Sequence, residues 1–98
     1  MIEIIEFEEF IASVFYNDLI KITYFKEDVH FIDIDCFPNE KFMLTIALTD
    51  IDIRIATISK EPEMDFSLYD YFFNEIEPAK SLILNIKISE KYPLEHNL

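Results

Sequence analysis

Apolar residues recur at helical spacing near the start of the chain. Ile4, Phe7, Phe10, Ile11, Val14 and Phe15 form one stripe, and Glu3, Glu6, Glu8 and Glu9 fill the gaps. The pattern predicts an amphipathic helix over 4–16, with acids in the early turns, where the positive end of the helix dipole favours them. Asn17 is placed to end it, because asparagine is the best substitute for glycine at a left-handed cap. Ile2 and Ile4 also alternate, so residues 1–5 fit a short strand as well.

From Leu19 to Ser59 the period falls to two. Ile20, Ile22 and Tyr24 share a face of a first strand, and Lys26-Glu27 suits a turn. His30, Ile32 and Ile34 share a face of a second strand over 28–35. Pro38-Asn39 suits the centre of a tight turn. Phe42, Leu44, Ile46 and Leu48 alternate, as do Ile51, Ile53 and Ile55, with Thr49-Asp50 between them as a two-residue turn. That hairpin rests on alternation, since the usual turn glycine is missing.

Beyond a linker at 60–64, Leu68, Phe72 and Ile76 are spaced as the stripe of a helix over 68–77, which Asp65 or Ser67 would cap and Pro78 would end. Leu82, Leu84, Ile86 and Ile88 alternate as a last strand. The order is α-β-β-β-β-α-β. Sheets with one apolar and one mixed face are usually antiparallel. The expectation is an α+β two-layer sandwich, a mainly antiparallel five-stranded sheet with two helices on one face. Phe7, Phe10, Ile11, Val14, Leu44, Ile46, Ile53, Ile55, Phe72, Leu84 and Ile86 are the expected core. The opposite face would carry Phe25, Phe31, Met43, Ala47, Ala56, Ile58 and Ile83 among Asp33, Asp52, Arg54 and Lys87, apolar enough to suggest a homodimer or partner contact.

Ninety-eight residues suffice for one domain, 1–98, with 92–98 as a loosely held tail. There is no glycine, which removes the phosphate-cradling P-loop, the dinucleotide-binding turn and the hydrolase nucleophile elbow. One cysteine, Cys36, removes an internal disulfide framework. No run of about 18 apolar residues occurs, so no membrane helix is expected. The first residues show neither a basic start nor a small-residue cleavage site, and with a single thiol this predicts a cytoplasmic protein.

Eight basic against twenty acidic residues leave a net charge of −12. Such a chain repels phosphate backbones and anionic membranes and attracts basic proteins. Its cations are scattered singly, so no basic patch offsets this. The plainer reading is that acidity serves solubility.

Candidate chemistry is sparse. Asp33/Asp35 and Asp50/Asp52 are Asp-x-Asp pairs, and on a strand each pair would point two carboxylates at one hard cation. Such pairs arise readily by chance among twenty acids, and neither a metal nor any other cofactor is expected. His30, Cys36 and His96 match no zinc spacing, and nothing beside Cys36 would lower its pKa. No catalytic residue is assigned, and the chain is not expected to be an enzyme.

The segment 61–77 stands apart. Glu61, Glu63, Asp65, Asp70, Glu75 and Glu77 place six acids in seventeen residues without a lysine or arginine, interleaved with Phe66, Tyr69, Tyr71, Phe72 and Phe73. If Leu68, Phe72 and Ile76 face inward, Asp70, Tyr71, Asn74 and Glu75 face out. Tyrosine is a favoured interface anchor, and surrounding carboxylates steer a basic partner. The expected binding surface is Glu61, Glu63, Asp65, Asp70, Tyr71, Asn74 and Glu75. The plainer reading is a solvated helix with Tyr71 packed on a neighbour.

In general character this surface resembles immunity proteins that neutralise bacterial nuclease toxins, and small DNA-mimic inhibitors such as anti-restriction and anti-CRISPR proteins. The resemblance lies in acidity and tyrosines rather than in a motif, and transfers no residue. It implies an inhibitor of a basic, nucleic-acid-processing or toxin partner. The abundance of Ile, Phe, Lys and Asn is compatible with a bacterial or phage source. The alternative is a homo-oligomeric structural or adaptor domain using the mixed sheet face.

Overall fold

The structure is a computed structural model, and it describes residues 1–61 and 69–93. Seven elements run α1 (Ile4–Val14), β1 (Leu19–Lys26), β2 (Val29–Asp35), β3 (Phe42–Thr49), β4 (Ile53–Ser59), β5 (Tyr71–Phe73) and α2 (Ile76–Ser89). The strands form one antiparallel sheet in sequence order, β1 and β5 at its edges. The expected α+β class, five-stranded sheet and two helices are all present.

Alternation sorts the sheet as the sequence predicts. Ile32, Ile34, Leu44, Ile46, Leu48, Ile53 and Ile55 point to one face and are fully buried. Phe7 and Ile11 from α1, Phe15 at its C-cap, and Ala79, Ile83 and Ile86 from α2 close over them in one cluster. Each large side chain buried there contributes about 1.5–3 kcal/mol. Phe31, Ala47, Arg54 and Phe72 stand in register on the opposite face, where Thr45, Ala47 and Ala56 are buried and Arg54 and Phe72 exposed.

The last two elements exchange types. Residues 71–73 form a strand on the free edge of β4, and 82–88 lie in a helix. Phe72 and Leu84, expected in the core, are 59% and 43% exposed, whereas Ile83, expected on the mixed face, is fully buried. The apolar run 82–88 satisfies both periods, because residues four apart share a side of a strand and of a helix. Packing resolves the ambiguity in favour of Ile76, Ala79, Ile83 and Ile86. Pro78 sits in the first turn of α2, where its missing N–H costs nothing, so it marks the start of a helix rather than the end of one.

Smaller departures have local causes. The β3–β4 connection spans 50–52, and Ile51 is exposed at its tip. The Thr49 hydroxyl accepts from the Ile51 and Asp52 amides at 3.2 and 3.0 Å and donates to Asp52 Oδ1 at 2.9 Å, making a turn without glycine. The left-handed residue is not Asn17. Among the described residues only Glu90 has positive φ, at 57°, and it closes α2 by donating its amide to Ile86 O at 2.8 Å. Of the expected loose tail, Tyr92 is buried, and 94–98 lie outside the described residues.

A polar contact ties α1 to the sheet. His30, buried on β2, meets the Glu8 carboxylate through Nδ1, and its Nε2 lies 3.2 Å from the carbonyl of Glu27. Tyr24 packs edge-on against the imidazole at 4.5 Å.

Candidate functional site

β5 carries the centre of the acidic segment, and strand geometry redistributes its side chains. Tyr71 and Phe73 turn toward the helices and stack at 6.3 Å. Tyr71 also meets Tyr92 edge-on at 5.9 Å, and its hydroxyl donates to the Pro93 carbonyl at 2.6 Å. Tyr71 is thus half-buried, not an outward residue on a helix. The outward aromatic is Phe72, with the Arg54 guanidinium 5.0 Å from its ring centroid. Arg54 is held in turn by Asp52, at 3.2 Å from both Nε and the terminal nitrogen. Had 71–73 been read as a strand, alternation alone would have put Phe72 outside.

Asp70 is exposed but positioned. Its amide donates to Ile55 O at 3.1 Å, and its carboxylate accepts from the Tyr92 hydroxyl at 2.9 Å. Burial, then the hydrogen bond to and charge of Asp70, push the Tyr92 phenol well above its ordinary value. Tyr92 therefore stays a neutral donor and fixes Asp70 in place. No sequence signal pointed to this role, because the partners are 22 residues apart.

Asn74 and Glu75 are exposed between β5 and α2, with Glu75 at the N-cap and Glu77 in the first turn. Glu61 is exposed just past the far end of β4, its amide bonded to Ser59 Oγ at 2.9 Å. The length of β4, about 20 Å, separates it from Asn74 and Glu75. Glu63 and Asp65 lie outside the described residues. The described members of the expected surface are therefore strung along the β4–β5 edge, with Asp70 before β5, Asn74 and Glu75 after it, and Glu61 past the far end of β4.

Three of the four Asp-x-Asp carboxylates are engaged, each by partners of its own. Asp33 accepts from Thr45 Oγ1 at 2.8 Å, and Asp35 lies 2.9 Å from Lys60 Nζ. The same ammonium donates to Phe37 O at 3.0 Å. Asp52 is held by Thr49 and Arg54. Among the described residues, no three His, Cys, Asp or Glu side chains converge.

Cys36 lines a cavity of about 280 Å3 between the β2–β3 loop and α2, with Phe15, Asp18, Phe37 and Lys87. Burial first, then the nearby Asp18 carboxylate, push its thiol up to about 12. The folded state thus holds this proton more tightly than the unfolded chain. The resulting stability is complete below the ordinary thiol value of 9.0 and is lost as pH rises toward 12. At pH 8, iodoacetamide should label the folded protein about a hundredfold or more slowly than the urea-unfolded chain, as read by mass spectrometry. Equal rates would show a thiol free of this burial.

Comparison with protein families, with curated proteins and with solved structures brings no match. Among the described residues, no helix is long and apolar enough to cross a membrane.

Proposed function

We propose that this chain is a small acidic protein-binding module, an inhibitor or immunity protein that neutralises a basic toxin or nucleic-acid-processing partner. The observation that carries the reading is the carboxylate-rich corner around β5. Asp70 is fixed by Tyr92, Glu75 and Glu77 flank the start of α2, and a chain of net charge −12 surrounds them. A carboxylate held as Asp70 is suits a site that expects phosphates, because it spends little conformational entropy on binding. Phe72, exposed beside Arg54, supplies the apolar contact that sequence reasoning sought in Tyr71.

The experiment is co-expression and titration with the product of the gene immediately upstream. Binding should rescue growth if that product is toxic, and should weaken steeply with salt. Asp70→Lys with Glu75→Lys should slow association and flatten its salt dependence, as expected when charges steer encounter. Phe72→Ala should raise the dissociation rate. Binding that ignores salt and all three substitutions would overturn the reading.

A further inference from the structure

The core does not close at β1. On the helix-covered face, Ile34 and Ile32 of β2 are fully buried, yet their register partners Ile20 and Ile22 on β1 are only partly covered. The next pair repeats the step, with His30 buried and Tyr24 63% exposed. β1 spans eight residues, and its outer edge meets no strand among the described residues. Leu19 and Phe25, both exposed, stand near its two ends. An edge of this length is a template for another strand; Lys21, Lys26 and the irregularity near Phe25 blunt it only in part, and 19–24 keep a regular register.

We propose that β1 is the seam of a homodimer, in which two copies pair antiparallel through their β1 edges about a two-fold axis at Ile22. The observation behind this choice of partner is self-complementarity. A continuous sheet keeps both helix layers on one side only if paired positions share a face. With Ile22 opposite itself, Ile20 meets Tyr24 of the second copy and Lys21 meets Thr23 of the second copy. The partly covered Ile20 and Ile22 and the exposed Tyr24 then cover one another, and the two Lys21 side chains avoid each other. Charge favours the same seam. Residues 19–26 carry Lys21 and Lys26 and no acid, so two chains of −12 can approach here without opposing carboxylates. The irregularity between Tyr24 and Lys26 ends the regular register on one side. The surface is separate from the β5 corner, at the other edge of the sheet, so a dimer leaves that corner free.

Sedimentation equilibrium on the full chain over a concentration series tests the seam, with two substitutions at the exposed Thr23. Thr23→Glu puts a carboxylate opposite Lys21 of the second copy, twice per dimer, and should tighten dimerisation about threefold or more. Thr23→Lys puts two lysines face to face at both places and should weaken it by a similar factor. General repulsion between acidic chains predicts the reverse order, since Lys lowers the net negative charge and Glu raises it. The Glu variant tighter than wild type and the Lys variant weaker supports the seam. A monomer at all concentrations, the reverse order, or a dimer indifferent to both would overturn it. Far-ultraviolet circular dichroism of each variant confirms that the fold is intact before the comparison is made.

Discussion

Ile83→Ala is expected to cost about 2–5 kcal/mol, while Leu84→Ala, one residue on, costs less than about 1 kcal/mol. Ile83 is fully buried on the inner side of α2, in one cluster with Ile53, Ile55 and Ile86. Truncation there removes apolar contacts and leaves a cavity that a helix braced between α1 and the sheet fills only in part. Leu84 lies on the outer side of the same helix, already 43% exposed, so its loss removes little. A domain of this size has about 5–15 kcal/mol in total, so the first change consumes a large share of it. Urea titration of both variants reads the contrast directly as a shift in midpoint at constant slope. The opposite order would place 82–88 in a strand with Leu84 inward and would remove α2 from the fold.

Glu8→Ala is the second large effect, with an expected loss of about 1–3 kcal/mol, the cost of leaving a buried polar group without its partner. Glu8 is the acid of α1 that turns inward, and its carboxylate meets Nδ1 of the buried His30. Removing it strands that nitrogen between α1 and β2. Glu8→Gln should cost less, because its amide oxygen still accepts. Glu8→Ala combined with His30→Phe should recover part of the loss, since removing both polar partners leaves none stranded. A double variant whose loss equals the sum of the single ones, read by urea unfolding, would show that the contact contributes nothing to stability. Exposed Glu9, on the same helix, serves as the control.

The two variants bear on different kinds of information in the chain. Helical spacing identified α1 and its buried Phe7 and Ile11, because one stripe at 3.6 residues has no rival reading over that length. Strict alternation likewise settled which face of the first four strands meets the helices, since a slip of one residue would turn Ile46, Ile53 and Ile55 away from them. The excess of acid was legible at sight, and so was the placement of Phe31, Met43 and Ala47 on the face opposite the helices. His30 was legible as a residue on the apolar face of its strand, but its ties to Glu8 and Glu27 were not.

Beyond residue 60 local signals stopped deciding. Residues 68–77 had a helical stripe, yet 71–73 form a strand and only 76–77 are helical, as the opening of α2; 82–88 had an alternating one, yet lie in that helix. The deciding term is a sheet edge and a core that no local window contains. The free edge of β4 offered hydrogen bonds to 71–73, and burial of Tyr71 and Phe73 toward the helices rewarded an extended backbone there. That left the apolar run after Pro78 to cover the sheet as α2, where Ala79, Ile83 and Ile86 complete the layer begun by α1. The candidate site inherits this division. Its acidity was fixed by composition, but which aromatic it shows and how Asp70 is held depend on β5 being a strand. Strand geometry turns Phe72 outward and Tyr71 inward, and only the folded chain brings Tyr92 across 22 residues of sequence to the Asp70 carboxylate.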